Sequence, residues 1–195
     1  MKNLFTALTI ASASSLFATA SFADVSASAT AKWDATAKKD TTSALVVTPL
    51  KSLNFQYAEG LEQFNTQTGA FDVTIQGQSG ATDFDLTSKL ITNTLTRGSD
   101  DSTLNVGVTW NGQALSKTTE TTLIDTAKNI NAGLEALSQS TAYAGTGRHS
   151  AQSSFEFKVD SATSDGTTVA QFKDLTDGMW DGEVAVQFNA TWTTP

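Results

Sequence analysis

Leu104-Asn-Val-Gly-Val-Thr-Trp-Asn-Gly-Gln113 is the stretch on which the fold turns. Leu104, Val106, Val108 and Trp110 alternate with Asn105, Gly107 and Thr109, the period of two that buries one face of a strand. Asn111-Gly112 then supplies two residues that tolerate positive φ, as a type I′ hairpin turn requires. Ten residues therefore predict a half-buried strand and a tight reversal. The same signal recurs outward from this point over Ser43–Thr48, Leu53–Tyr57, Phe71–Gln76, Phe84–Thr96, Ser154–Val159, Thr168–Phe172 and Glu183–Thr193. Turn residues separate these runs at Ala58-Glu59-Gly60, Gln67-Thr68-Gly69, Gly77 to Gly80, Arg97 to Asp101, Ser164-Asp165-Gly166 and Asp177-Gly178.

One segment departs from the pattern. Leu123-Ile124, Ala127, Ile130, Leu134 and Leu137 fall near a 3.6-residue spacing with Asp125 as an N-cap, which reads as one short helix even though Asn129, Asn131 and Gly133 weaken it. The Ser/Thr/Gly-rich piece from Ser138 to Ser150, without periodicity, reads as a surface loop. About eight short antiparallel strands without an internal repeat give an all-β fold, an immunoglobulin-like β-sandwich with that one short helix. The Cys and Trp marks of antibody domains are missing, and an up-and-down barrel is the alternative.

The first residues carry Lys2, then Leu4, Phe5, Ala7, Leu8, Ile10 and Ala11, and close on Ser21-Phe22-Ala23. A basic start, a short apolar run broken by Thr6, Thr9, Ser12, Ser14 and Ser15, and a small-x-small ending describe a cleavable export signal over residues 1–23. The net charge is −8, and Lys32, Lys38-Lys39 and Lys51 are too sparse to follow a phosphate backbone, which argues against nucleic acid. An exported chain could use disulfides, yet this one has no cysteine. Its stability must come from its core or from neighbours.

Beyond the cleavage point, Val25, Ala27, Ala29, Ala31, Trp33, Ala35 and Ala37 occupy every odd position, while Asp24, Ser26, Ser28, Thr30, Lys32, Asp34 and Thr36 fill the even ones. At 39% apolar content, such a run has a chance of about 4 × 10⁻⁵ per window, for a pattern that marks a strand. It reads either as an ordinary first strand or as a strand given to another chain by β-augmentation. Two features favour donation. Cleavage would leave the stretch at a new N-terminus, and its apolar face is mostly alanine, small enough to enter a preformed groove without overpacking it. The polar Lys38-Lys39-Asp40-Thr41-Thr42 would detach it from the body. The expected divisions are residues 1–23 as signal peptide, 24–37 as the donor-strand extension and 38–195 as one sandwich domain. Val184, Val186, Phe188, Ala190 and Trp192 also alternate with polar residues, as one lip of an acceptor groove would.

No catalytic, cofactor or metal site emerges from the sequence. His149 stands alone in the expected loop, Gly77-Gln78-Ser79-Gly80 lacks a full nucleophile elbow, and Gly145-Thr146-Gly147-Arg148 lacks the ending of a phosphate loop. Asp174, Asp177, Asp181 and Glu183 depart from the EF-hand order and read as a solvated acidic turn. Trp110, Trp180 and Trp192 leave open a carbohydrate platform on an exported monomer; core packing is the simpler reading of Trp192.

Ala35-Thr-Ala-Lys-Lys-Asp-Thr-Thr-Ser43 running into Leu45-Val-Val-Thr-Pro-Leu50, Phe55-Gln-Tyr-Ala-Glu-Gly60, Leu90-Ile-Thr-Asn-Thr-Leu-Thr96, Ser102-Thr-Leu-Asn-Val-Gly-Val108 and Val186-Gln-Phe-Asn-Ala-Thr-Trp192 together resemble the Mat-type fimbrillins, major pilins of the enterobacterial common pilus. The resemblance spans most of the chain after the signal and is looser between Asn129 and Thr168. It implies a non-enzymatic pilin exported through the periplasm to the cell surface and assembled with identical subunits by a periplasmic chaperone and an outer-membrane usher. A tip adhesin, a host-cell receptor, adhesion and biofilm formation belong to the same implication, with a minor or tip pilin as the close alternative. Carried over by position, the donor face is Val25, Ala27, Ala29, Ala31 and Trp33.

Overall fold

The computed structural model describes residues 39–195, which form a compact unit starting at Lys39. The expected signal peptide and the donor face Val25, Ala27, Ala29, Ala31 and Trp33 lie outside the described residues. In chain order the strands are β1 (Leu45–Pro49), β2 (Tyr57–Ala58), β3 (Gln63–Phe64), β4 (Gln67–Gln76), β5 (Asp83–Thr92), β6 (Thr94–Thr96), β7 (Thr103–Trp110), β8 (Gln113–Ala114), β9 (Thr121–Asp125), β10 (Arg148–Thr163), β11 (Val169–Ala170), β12 (Asp181–Gly182) and β13 (Ala185–Thr193), with one α-helical turn, α1 (Ser140–Tyr143).

Two sheets carry the core. The larger is ordered β1-β4-β10-β7-β6-β12, with β8 and β11 attached to β7 and β10, and the smaller is β13-β5-β9. Alternation supplies most of the facing surfaces: Phe71, Val73 and Ile75 of β4, Val106, Val108 and Trp110 of β7, and Phe155 and Phe157 of β10 meet Phe84, Leu86 and Leu90 of β5 and the adjacent pair Leu123 and Ile124 of β9. The two apolar faces interdigitate, Phe188 of β13 lying 5.3 Å from Phe71 and 5.8 Å from Phe155 between ring centroids. The result is the all-β sandwich that the alternation predicts, and not a single closed barrel.

Asn111 and Gly112 adopt φ of 48° and 81°, the type I′ geometry expected of them, and Trp110 pairs with Gln113 across the turn. The run Phe84–Thr96 is split between the sheets. Val106 N donates to Asn93 O and Asn93 Nδ2 donates to Val106 O, both at 2.8 Å, so Asn93 ends β5 in the small sheet and begins β6 in the large one. β10 is much longer than the predicted Ser154–Val159 and is bulged between Val159 and Ser161. Gly107, in the middle of β7, leaves the space beside it to the carboxylate of Asp160 at that bulge.

Four expectations are corrected. The helix read over Leu123–Leu137 is instead β9 followed by turns: Asp125 accepts from Lys128 N at 3.0 Å as an N-cap would, but Asn129 and Gly133 take φ of 57° and 81°, and Asp125 and Ile130 close a β-bridge. The stretch Ser138–Ser150 is not a surface loop. Ala142 and Tyr143 of α1 are buried, Tyr143 stacks on Phe84 at 6.1 Å, and Arg148 to Ser150, His149 included, already belong to β10. Leu53–Phe55 form no strand, because Asn65 takes the place of a partner: its Oδ1 accepts from Gln56 N and its N–H donates to Gln56 O. Thr168–Phe172 likewise shrinks to β11 and a 3-10 turn at Phe172–Asp174.

The α1 turn is pressed onto the end of β4, where a Cβ on Gly77 would lie 2.5 Å from Ala142 O and 2.6 Å from Gly145 O. Backbone carbonyls yield little, so Gly77→Ala is expected to cost about 1–3 kcal/mol as overpacking does. The check is the midpoint of chemical denaturation, which should fall with unchanged slope.

Candidate subunit-docking groove

β13 pairs only with β5, and β1 only with β4, so each is an edge strand of its sheet among the described residues. Both edges lie on one side of the sandwich, since Phe188 of β13 packs on Phe71 of β4, the neighbour of β1. Their burial sets that side apart. Val184, Val186, Phe188, Ala190 and Trp192 all point at the core, and all remain half-buried, as do Leu45 and Val47 of β1 and Phe55 after it. On the opposite edge of the small sheet, Leu123 and Ile124 of β9 are 0% exposed. Among the described residues, one side of the core is closed by fully buried side chains and the other is bordered by two half-buried apolar strands whose outer edges have no partner.

The C-terminal strand forms where the alternation predicts a strand, on a nine-residue ladder from Ala185↔Thr92 to Thr193↔Asp83. Its outer face is polar: Glu120 accepts from Asn189 Nδ2 and Thr87 Oγ1, both at 2.7 Å, fixing the strand in its pleat. The second lip, Leu45 and Val47, was missed by sequence reasoning. Its signal was Pro49, which lacks the N–H of an interior strand and sits at sheet edges. Two buried polar atoms beside the groove have no partner, the Nε1 of Trp192 and the Oγ of Ser88, the residue opposite Phe188. Trp192 stands 5.1 Å from Phe84, so this lip residue serves the core and the groove together.

A smaller apolar cluster fills the end of the sandwich where β13 begins, built on Leu104, Val159 and Ala162 with Phe64, Phe172 and Trp180 packed on it. Arg97 pins it. Its guanidinium pairs with Asp100, donates to the carbonyls of Thr176 and Asp177, and lies 5.3 Å over the Trp180 ring, whose Nε1 donates to Ser102 Oγ at 2.9 Å. Trp110 is buried in the core, and Trp180 is half-buried against this cluster. No group of three or more His, Cys, Asp or Glu is placed to hold a metal among the described residues.

Among the described residues the sandwich presents two strand edges along one half-buried apolar flank, a geometry suited to docking another chain. The chain belongs to the family described as fimbrillin MatB, which matches residues 26–192. It is 53% identical over 197 residues to the common pilus major fimbrillin subunit EcpA of Klebsiella pneumoniae subsp. pneumoniae, covering all of both chains. The EcpA of Escherichia coli K12 is 55% identical over 175 residues, 88% of this chain and 89% of that one. Among solved structures, the CooA pilin subunit from enterotoxigenic Escherichia coli aligns with a TM-score of 0.42 and 15% identity over 76% of this chain and 88% of that one. Family membership makes the chain a structural subunit of a surface fimbrium, a polymer of its own copies, in place of an enzyme.

The hydrogen bonds of Arg97, then those of Ser102, hold the Asp100 carboxyl down at about 2. A depressed carboxylate contributes stability that is complete above the ordinary aspartate range, about pH 4, and is lost as pH falls through its folded value. Asp100→Asn should therefore lower the urea midpoint at pH 7, and the difference from the parent should vanish as the pH approaches about 2.

Proposed function

We propose that the chain is the major shaft subunit of an adhesive common pilus and that it polymerises by strand donation. Val25, Ala27, Ala29, Ala31 and Trp33 of one copy fill the groove of the next, pairing with the free edges of β1 and β13. The observation that carries this reading is the contrast across the small sheet, half-buried Val184 to Trp192 on one edge against fully buried Leu123 and Ile124 on the other. A groove of that kind, with unpaired edges, is an aggregation hazard until a strand covers it.

The energetics are sufficient. Main-chain hydrogen bonds contribute roughly 0.5–1.5 kcal/mol each, and the apolar face of the donated strand about 25 cal/mol for every Å² removed from water. Release would reopen the core, so the polymer is held by a slow unfolding step and needs no disulfide. An aggregation-prone groove in a free subunit also calls for a periplasmic chaperone to cover it and an outer-membrane usher to exchange the chaperone for the next subunit. The pilus would end in a tip adhesin, engage a host-cell receptor and support adhesion and biofilm formation, functions supported by the family relationship.

Deleting Asp24 to Asp34 while keeping the export signal should leave exported protein that makes no fibres and no heat-sensitive ladder on gels. Fibres of normal length from that variant would end the proposal. Phe188→Ser, which removes the middle of the lip, should lower the temperature at which the ladder of the parent fibre collapses to monomer.

A further inference from the structure

The body is polar along its strands. The first strand is entered at Ser43-Ala44 beside Gln76 and Arg148, where Ala44 O accepts from Gln76 N and Ser43 O from Arg148 Nη1, both at 2.8 Å. At the same pole β13 ends, Thr82 N donating to Thr193 O at 2.8 Å. β13 begins at the opposite pole, where Glu183 O accepts from Thr92 Oγ1 at 2.9 Å and the aromatic cluster of Tyr57, Phe64, Phe172 and Trp180 caps the sandwich.

That second pole is acidic. It carries Glu59, Glu62, Asp174, Asp177, Asp181 and Glu183, while its cations are occupied, Lys173 by Glu62 at 3.2 Å and Arg97 by Asp100. The phenol of Tyr57 is pushed above its ordinary value, first by burial and then by the Glu62 and Glu59 carboxylates. Large apolar side chains also stand in solvent there: Leu61 is 75%, Val169 80% and Met179 75% exposed.

We propose that this acidic, apolar-studded pole is a second contact between successive subunits and receives the Lys38–Lys39 junction of the copy that donates its strand. The contact rests on the strand-donation reading and adds to it a direction. Trp33 and Lys39 are six residues apart, at most roughly 20 Å of extended chain, so the body of the donor is held at whichever pole Trp33 occupies.

Running antiparallel to β13, the donated face sets Trp33 against Val184, Ala31 against Val186, Ala29 against Phe188, Ala27 against Ala190 and Val25 against Trp192. Bulky residues then face smaller ones at both ends of the groove. Running parallel, Trp33 meets Trp192, and the donor body arrives at the pole from which the acceptor's own N-terminal segment departs. The antiparallel arrangement avoids both collisions and brings Lys38-Lys39, the one adjacent Lys/Arg pair in a chain of 12 basic and 20 acidic residues, onto the acidic pole. The fibre is then a head-to-tail stack, joined by a strand within each groove and by charge and apolar contact between bodies.

Charge reversal tests the contact. Lys38→Glu with Lys39→Glu, or Glu59→Lys with Asp174→Lys, should each slow assembly of purified subunits at low salt by about tenfold, as lost steering does, and flatten its salt dependence; the quadruple swap should restore both. Unchanged rates, or a quadruple variant no faster than either pair, would overturn the contact. Because the chain has no cysteine, direction can be read with introduced thiols alone, Ala190→Cys combined in turn with Ala27→Cys, Ala29→Cys or Ala31→Cys. Cross-linked ladders should be strongest with position 27; a maximum at 29 or 31 overturns the arrangement while leaving strand donation intact. Normal fibres without a cross-link from any of the three would overturn strand donation and the contact together.

Discussion

The small sheet has three strands on its main path and the large one six, and this mismatch governs the rest of the molecule. A sheet packs its apolar face against something or leaves it in water, at about 25 cal/mol per Å². Here β9 seals one flank with Leu123 and Ile124, while the other flank ends on β13 and β1 with their inward residues half-covered. The uncovered flank is no defect of packing, because the strands that border it are well made. β13 is paired over nine residues, its polar face is tied to Glu120, and Phe188 reaches the opposite sheet. Among the described residues the scaffold is well made on every side, and only the apolar cover of one flank is partial.

Much of this was legible in the sequence because a period of two survives wherever one face is buried and the other wet. Leu104 to Trp110, Phe71 to Gln76 and Val184 to Trp192 announced their strands, and Asn111-Gly112 announced a turn whose φ angles are those observed. The failures have physical causes. Leu123 and Ile124 are adjacent and both buried, since β9 is bulged against β5 between Leu86 and Thr87; two consecutive inward residues mimic a helical spacing. Tyr143 was overlooked because a single buried aromatic among Ser, Thr and Gly carries no periodicity. Leu53 and Phe55 alternate as a strand would, yet they join no ladder, and the next residue, Gln56, is bonded by Asn65, a contact that spacing cannot reveal.

The groove was half visible from sequence. The C-terminal strand that would border it followed from alternation, but the position of Leu45 and Val47 required the topology, in which the first strand of the body comes to rest beside β4. The acidic pole was visible only as scattered carboxylates, from Glu59 to Glu183, that the fold gathers at one end. Arg97 explains how: it draws the segment around Thr176 and Asp177 onto the turn at Asp100 and stacks on Trp180, so residues far apart in the chain share one cap.

The long ladder between β13 and β5 also has a mechanical side. Antiparallel ladder bonds lie across the strand direction, so a tug along β13 engages the bonds from Ala185 to Thr193 together, in shear, whereas a sideways peel would break them one by one. A body pulled along its last strand therefore shares the load across the whole joint between β13 and β5.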